Sequence, residues 1–134
     1  MNKGGCILLS KDLKKVALVY REKQKDYSFP KGHLEKDENI INCAIRETEE
    51  ETGMNCKLLS QIPLGTFTYD NYEGTIRTYM YLAVEDGPTT MNISEEDKEI
   101  TVWVPIDEVE EKLTYQDLKE FWIKVKDKIN LLTK

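Results

Sequence analysis

The stretch from residue 29 to residue 53, FPKGHLEKDENIINCAIRETEEETG, constrains the chain more than any other. Asp37 is placed to cap a helix, with Glu38 in its first turn. Gly53 suits the left-handed residue that commonly ends a helix. The sequence therefore predicts a loop, a helix of about four turns and a second loop.

The predicted helix carries two neighbouring faces of opposite character. At ~100° per residue, Glu47, Glu50 and Glu51 fall within an arc of roughly 100°. The adjacent face holds residues suited to a core, namely Ile41, Ala44, Ile45 and Thr48. Carboxylates this close repel one another by a few tenths of a kcal/mol per pair, or about that, unless a cation lies among them.

Two sources of positive charge are available to this acidic face. Arg46 can bridge to Glu38, Glu49 or Glu50 on its own helix, and a divalent metal ion can bind the three carboxylates. Oxygen ligands on a rigid helix suit hard ions such as Mg²⁺ or Mn²⁺ rather than zinc or copper. The alternative is an acidic helix face that is simply solvated.

The composition of the chain indicates a globular protein. The 134 residues, 40% hydrophobic and 33% charged, are typical of one globular domain spanning 1–134. The net charge of −6 argues against a broad electrostatic contact with DNA or long RNA. Three cysteines and one histidine indicate neither a disulfide framework nor a zinc site. We found no signal peptide or membrane span, and we expect a cytoplasmic protein that makes no membrane contact.

Short apolar runs predict a sheet. Strands are expected at 4–10, 15–20 and 99–105, with a hairpin whose arms flank NYEG at 71–74. In the second arm, residues alternate between two faces. We expect one face, with Ile76, Thr78, Met80 and Leu82, to meet the core. We expect the other, with Thr75, Arg77, Tyr79 and Tyr81, to face a ligand.

Two helices are predicted after Pro105. Asp107 is a plausible cap for the first. The second spans 115–132 and is amphipathic, with lysines toward its carboxyl end. Its expected core residues are Leu118, Phe121, Trp122, Val125, Ile129 and Leu132.

The spacing of the acidic motif resembles a known signature. Gly32, Glu38, Arg46-Glu47, Glu50-Glu51, Gly53 and Met54 stand at the fixed positions of the Nudix box, the signature of the Nudix hydrolase superfamily. The one departure is Thr48, where the family usually has an aliphatic residue. The resemblance, over residues 32–54, implies an α/β protein: a Nudix-type α/β/α sandwich with a mixed β-sheet and a loop-helix-loop catalytic motif.

The resemblance also implies roles for the matched residues. Nudix enzymes hydrolyse a nucleoside diphosphate linked to another group, with Mg²⁺ or Mn²⁺ as cofactor. Glu47, Glu50 and Glu51 would bind the metal, with the carbonyl of Gly32 as a further ligand. Arg46 and Glu38 would orient these acids, and Glu50 or Glu51 would act as the base. Some members take a base or ligand from the loop before the late strand, where Glu96 and Glu99 are the candidates here.

The run FPKGH followed by LEKDE is similar to that of the diadenosine polyphosphate hydrolases of this family. Lys31 is a point charge suited to phosphate, and His33 is a hydrogen-bond donor for a phosphoryl oxygen. The tyrosines available to stack on a base are Tyr69, Tyr72, Tyr79 and Tyr81. Alternating tyrosines are also common on strands for packing alone.

The preferred hypothesis is a hydrolase with a small-molecule nucleotide substrate, which cleaves diadenosine tetraphosphate or a related dinucleoside polyphosphate asymmetrically. Within the same chemistry, the alternatives are a nucleoside triphosphate pyrophosphatase and an enzyme that removes pyrophosphate from RNA 5′ ends. Two further alternatives involve no hydrolysis: a noncatalytic nucleotide sensor on the same fold and an acidic interaction module. The sensor is disfavoured because all the helix glutamates of the signature are present.

Overall fold

The computed structural model describes residues 1–90, 93 and 99–133. Its strands are β1 (Asn2–Leu9), β2 (Lys15–Arg21), β3 (Asp26–Ser28), β4 (Lys31–His33), β5 (Met54–Leu58), β6 (Gly65–Asn71), β7 (Gly74–Pro88) and β8 (Ile100–Pro105). Its helices are α1 (Ile40–Thr52), α2 (Val109–Lys112) and α3 (Gln116–Leu132), and a 3₁₀ turn covers Ile106–Glu108.

The strands form a mixed sheet. Its central path runs β3, β2, β1, β7, β5, with β4 against β1, β6 against β7 and β8 against β2. Strands β1 and β7 are parallel, and the other pairs are antiparallel. The predicted hairpin is confirmed as β6 and β7, which meet at Asn71 and Gly74.

Helices cover both faces of this sheet. On one face, Ile7, Leu18 and Leu82 belong to a core that includes Phe121 and Trp122 of α3. On the other, a smaller cluster joins sheet residues such as Leu8 and Ala83 to Ala44 of α1. The predicted α/β/α sandwich is therefore confirmed, and burial of both faces explains the continuous apolar runs of β1 and β2.

The sheet splits beside α1. Strand β1 pairs with β2 at Leu9 and Val16. Toward its amino end, β1 pairs instead with β4, over Lys3–Gly5. Toward its carboxyl end, β2 pairs with β3, over Val19–Arg21. Because only Phe29–Pro30 separate β3 from β4, the chain crosses the split just before the acidic helix.

The cap predicted for α1 was wrong. The helix begins at Ile40, and the side chain of Asn39 accepts a hydrogen bond from the Asn42 backbone nitrogen at 2.8 Å. Asp37 adopts a φ of 63° in the turn before it. This left-handed φ is incompatible with an N-cap, which needs an extended backbone such as the φ of −83° at Asn39. The predicted end is confirmed, since Gly53 has a φ of 72° and donates to the Glu49 carbonyl.

Two predictions in the carboxyl-terminal region were also wrong. Asp107 lies within the 3₁₀ turn, and α2 starts after Glu108 with no side-chain cap. Leu132 is 49% exposed because α3 continues past its last fully buried contact, at Ile129. The other five predicted core residues of this helix are buried.

The ligand-facing side predicted for β7 was wrong as well. Tyr81 is 2% exposed, and both Tyr81 and Tyr79 pack in the cluster against α1. Over residues 79–83, β7 lies between two helical layers, so the alternation there separates two covered faces, whereas Thr75 and Arg77 near the hairpin remain exposed. On the other face, Met80 and Leu82 are buried as predicted.

Candidate active site

Arg46 organises the acidic face of α1. Its Nε and Nη2 donate to the two oxygens of Glu38 at 2.7 and 2.9 Å. Its Nη1 donates to Glu47 at 2.8 Å and to Glu50 at 3.2 Å. The hydrogen bonds from Arg46 lower the pKa of Glu38, so this carboxylate stays ionised. The guanidinium therefore supplies the internal counter-charge that the sequence predicted.

Gly32 lies against Glu47. A Cβ added to Gly32 would stand 2.1 Å from Glu47 Oε2, so only glycine leaves room for this carboxylate. Burial raises the pKa of Glu47 even though Arg46 counteracts it. The Cys43 thiol donates to the Gly32 carbonyl at 3.5 Å, which ties this turn to α1.

Glu51 is set apart from Arg46. Its carboxylate accepts a hydrogen bond from the Lys31 backbone nitrogen at 3.1 Å. Burial raises its pKa to about 8, and repulsion from Glu47 acts in the same direction. A carboxylate this desolvated favours either a proton or a cation as its partner.

The described residues contain no group of three His, Cys, Asp or Glu side chains already gathered around one point. Arg46 holds Glu47 and Glu50, while Glu51 turns toward Lys31. The chemistry of the donors nevertheless fits a hard divalent ion, because they are carboxylate oxygens with the Gly32 peptide beside Glu47. The residues present therefore suit Mg²⁺ or Mn²⁺.

A cavity of about 440 Å³ opens at the split in the sheet. Lys3, Arg21 and Lys31 bring positive charge to it, and Glu51 reaches it from α1. Burial and then the charge of Lys3 lower the pKa of the Lys31 ammonium to about 8. The remaining lining residues are Val19, Ser28, Phe29, Phe67, Tyr69, Glu99, Tyr115, Asp117 and Leu118. The lining therefore holds three basic and three acidic side chains, so it offers cationic groups to a phosphate beside carboxylates that could hold a metal ion.

The residues predicted to bind substrate divide between different places. Lys31 and Tyr69 line this cavity, whereas His33 lines a second, more open one that also includes Tyr69. Tyr81, which is buried, and Tyr79, which is half-buried, pack against α1, and neither lines these cavities. Glu99 lines the first cavity, and its backbone nitrogen donates to the Glu51 carbonyl at 3.1 Å. Glu96 lies outside the described residues.

Sequence reasoning missed several cavity residues, among them Lys3, Arg21, Tyr115 and Asp117. Arg21 and Tyr115 meet at Asp26, which is 1% exposed. Arg21 binds both carboxylate oxygens, with an Nε distance of 2.8 Å, and the Tyr115 hydroxyl donates at 2.6 Å. This network joins β2 and β3 to the start of α3, and no local motif signals it.

Asp26→Asn is expected to destabilise the protein by about 2 kcal/mol, because the amide has no charge to pair with Arg21 and places an N–H group where one carboxylate oxygen now accepts a hydrogen bond. The pKa of Asp26 is held below its ordinary value of 3.8, chiefly by the Arg21 hydrogen bond. The carboxylate therefore stabilises the fold above pH 3.8, and this contribution is lost as pH falls below that value. Urea denaturation at pH 7 and at low pH measures both effects.

The difference in stability between wild type and Asp26→Asn should accordingly shrink on acidification. Asp86→Asn, at an exposed position, is the control and should show no such change. A difference that stays constant down to acid pH would contradict the assigned role of Asp26.

Comparison with known proteins identifies the family. The model of the NUDIX domain matches residues 3–123. The chain belongs to the Nudix hydrolase family, and the resemblance noted in the sequence is confirmed. The chain is thus a hydrolase of this family, and Nudix hydrolases generally use divalent metal ions.

Two relatives illustrate the range of named activities. The 8-oxo-(d)GTP phosphatase of Mycolicibacterium smegmatis is 36% identical over 102 residues, which cover 76% of this chain and 30% of that protein. The m7GpppN-mRNA hydrolase of Saccharomyces cerevisiae is 37% identical over 70 residues, which cover 52% of this chain and 7% of that protein. The chain therefore spans less than a third of the length of either relative.

Solved structures share the fold. A C. elegans Ap4A hydrolase in a binary complex superposes with a TM-score of 0.77 at 19% identity, covering 99% of this chain and 98% of the other. A NUDIX hydrolase from Nitrosomonas europaea gives a TM-score of 0.69 at 21% identity, covering 95% and 88%. Within the described residues, no helix is both long and apolar enough to cross a bilayer.

Proposed function

We propose that this chain hydrolyses a phosphoanhydride bond in dinucleoside polyphosphates, with diadenosine tetraphosphate as the preferred type of substrate. Water would attack one phosphorus, the bridging bond to the next phosphate would break, and the products would be a nucleoside monophosphate and a nucleoside triphosphate. The observation that carries this proposal is the cavity whose lining brings together Lys3, Arg21, Lys31 and the half-buried Glu51.

The cofactor would be Mg²⁺ or Mn²⁺, held by Glu47, Glu50 and Glu51 with the Gly32 carbonyl. When bound, such an ion neutralises anhydride oxygens and makes a water molecule more acidic. Arg46 keeps Glu47 and Glu50 on one side of the helix and acts as a positioning residue. Glu50 and Glu51 are the candidates to accept the proton of the attacking water.

The cations of the cavity would bind the polyphosphate. Lys31 has lost much of its hydration, so a phosphate oxygen would provide a charged hydrogen-bond partner for the desolvated ammonium. Arg21 is oriented by its two hydrogen bonds to Asp26. Tyr69 offers an aromatic face for a nucleobase at the edge of the same cavity.

The fold of the chain resembles that of an Ap4A hydrolase, which is compatible with the proposed substrate. A second class of substrate is suggested by one of the sequence relatives. The mycobacterial relative named an 8-oxo-(d)GTP phosphatase favours a nucleoside triphosphate as the alternative. The relatives named mRNA hydrolases point to capped RNA, which the net charge of −6 disfavours.

A substrate panel tests the proposal. Diadenosine tetraphosphate, ATP, 8-oxo-dGTP, ADP-ribose and triphosphorylated RNA are incubated with Mg²⁺, and the products are resolved by chromatography. We expect the highest kcat/KM for diadenosine tetraphosphate, with AMP and ATP as products. A higher kcat/KM for any other member, or symmetrical release of two ADP, would overturn the proposed substrate.

Gly32→Ala is expected to lower kcat/KM by about tenfold, because the new methyl group would displace the Glu47 carboxylate. The displaced group is the flexible end of a side chain, so the melting temperature should change little. Steady-state kinetics and thermal unfolding check the two expectations. Full activity in the variant would show that the contact between Gly32 and Glu47 is dispensable.

A further inference from the structure

A second cavity of about 670 Å³ adjoins the candidate active site. Tyr69 lines both cavities, and the Lys3 ammonium lies 5.4 Å from the centre of its ring. Lys3 is also paired with His33 across β1 and β4, and His33 lines the second cavity. The two cavities therefore meet at one boundary made of Lys3, His33 and Tyr69.

The second cavity combines aromatic, apolar and amide groups. Tyr72 stands at the tip of the hairpin, and 96% of its surface is exposed. Leu34 offers an apolar surface, and Asn2 and Asn71 bring side-chain amides. A nucleobase presents the matching combination of a π-face and a hydrogen-bonding edge. The volume is within the range of cavities that bind small molecules.

Charge at the boundary fits a phosphate chain. Lys3 faces the first cavity and His33 the second, so a polyphosphate crossing between them would pass two potential donors. The His33 imidazole lines the second cavity, where a ring nitrogen can donate a hydrogen bond to a phosphate oxygen. Glu73 also lines this cavity, and its negative charge suits a nucleoside better than a phosphate.

We propose that the second cavity is the subsite for the second nucleoside of a dinucleoside polyphosphate, with Tyr72 as its stacking residue. The inference rests on the proposed function, because it assumes that the phosphates occupy the first cavity. A substrate with one nucleoside would leave this subsite unused. Tyr72 is then a specificity-determining residue that favours substrates with two nucleosides.

The experiment compares Tyr72→Ala with Tyr72→Phe. Because the side chain is almost fully exposed, its truncation should not affect folding. Binding of methylene-bridged analogues of diadenosine tetraphosphate and of ATP is measured by calorimetry with Mg²⁺. We expect Tyr72→Ala to raise the Kd of the dinucleotide analogue about tenfold and to leave that of the ATP analogue unchanged. Tyr72→Phe, which keeps the ring, should bind like wild type.

Ile62→Ala is the matched control, since Ile62 is 75% exposed and lines neither cavity. Equal losses for both analogues, or no loss for either, would overturn the subsite. Binding also separates this inference from the proposed function. A wild type that binds the dinucleotide analogue through Tyr72 but does not cleave diadenosine tetraphosphate would refute the proposed reaction alone.

Discussion

Glu51→Gln is expected to reduce kcat for hydrolysis of diadenosine tetraphosphate by ~10²–10⁴-fold, the range associated with loss of a positioned acid or base. The amide can still accept the hydrogen bond that Glu51 receives from the Lys31 backbone nitrogen. It has no negative charge to bury, so the desolvation that raises the pKa of Glu51 disappears. The variant should therefore be at least as stable as wild type. Steady-state kinetics and urea denaturation provide the two measurements.

Glu49→Gln is the matched control on the same helix. Its carboxylate accepts a hydrogen bond from the Cys56 backbone nitrogen at 3.2 Å, on the side of β5, and an amide oxygen can replace it. We expect this variant to keep the wild-type kcat. If Glu51→Gln retained full turnover, or lost it only in proportion to a fall in stability, the role assigned to Glu51 would be wrong.

Arg46→Lys is expected to lower kcat/KM by roughly 10–100-fold, as is typical when a group that orients metal ligands is altered. Lysine keeps the charge but lacks the planar fork that reaches Glu38, Glu47 and Glu50 together. Several partly buried carboxylates then lose a partner, and we expect a loss of about 2 kcal/mol in the free energy of unfolding. The Mg²⁺ concentration that gives half-maximal activity should also rise.

The same substitution at Arg77, an exposed residue of β7 that lines neither cavity, is the control. It should leave kcat/KM, stability and Mg²⁺ dependence unchanged. Arg46 would have no positioning role if the two variants behaved alike. A destabilised Arg46→Lys variant with the Mg²⁺ dependence of wild type would likewise contradict that role.

The local parts of the site could be predicted from the sequence because helix geometry and residue spacing determine them. The positions of Arg46 and its acidic neighbours follow from one helix, and so does the stop at Gly53. Gly32 and Lys31 are close in sequence to that helix, so their contacts with Glu47 and Glu51 could also be predicted.

The remaining site residues depend on how distant strands are arranged. Lys3 joins the site because β1 separates from β2 and pairs with β4, a change of partner that no local pattern signals. Tyr115, at the start of α3, joins the site because its hydroxyl donates a hydrogen bond to Asp26 of β3. The error over Tyr79 and Tyr81 has the same origin, because alternation in a strand cannot tell whether helices cover one face of a sheet or both.

We propose that Glu47, Glu50 and Glu51 form a divalent-cation site beside the phosphate cavity. Its most direct test is anomalous diffraction at the manganese edge from crystals grown with Mn²⁺ and the methylene-bridged dinucleotide analogue. We predict an anomalous peak in contact with carboxylates of these glutamates and with phosphate oxygens of the analogue. Well-ordered analogue in the cavity, with these carboxylates pointing apart and no anomalous peak near them, would contradict the account.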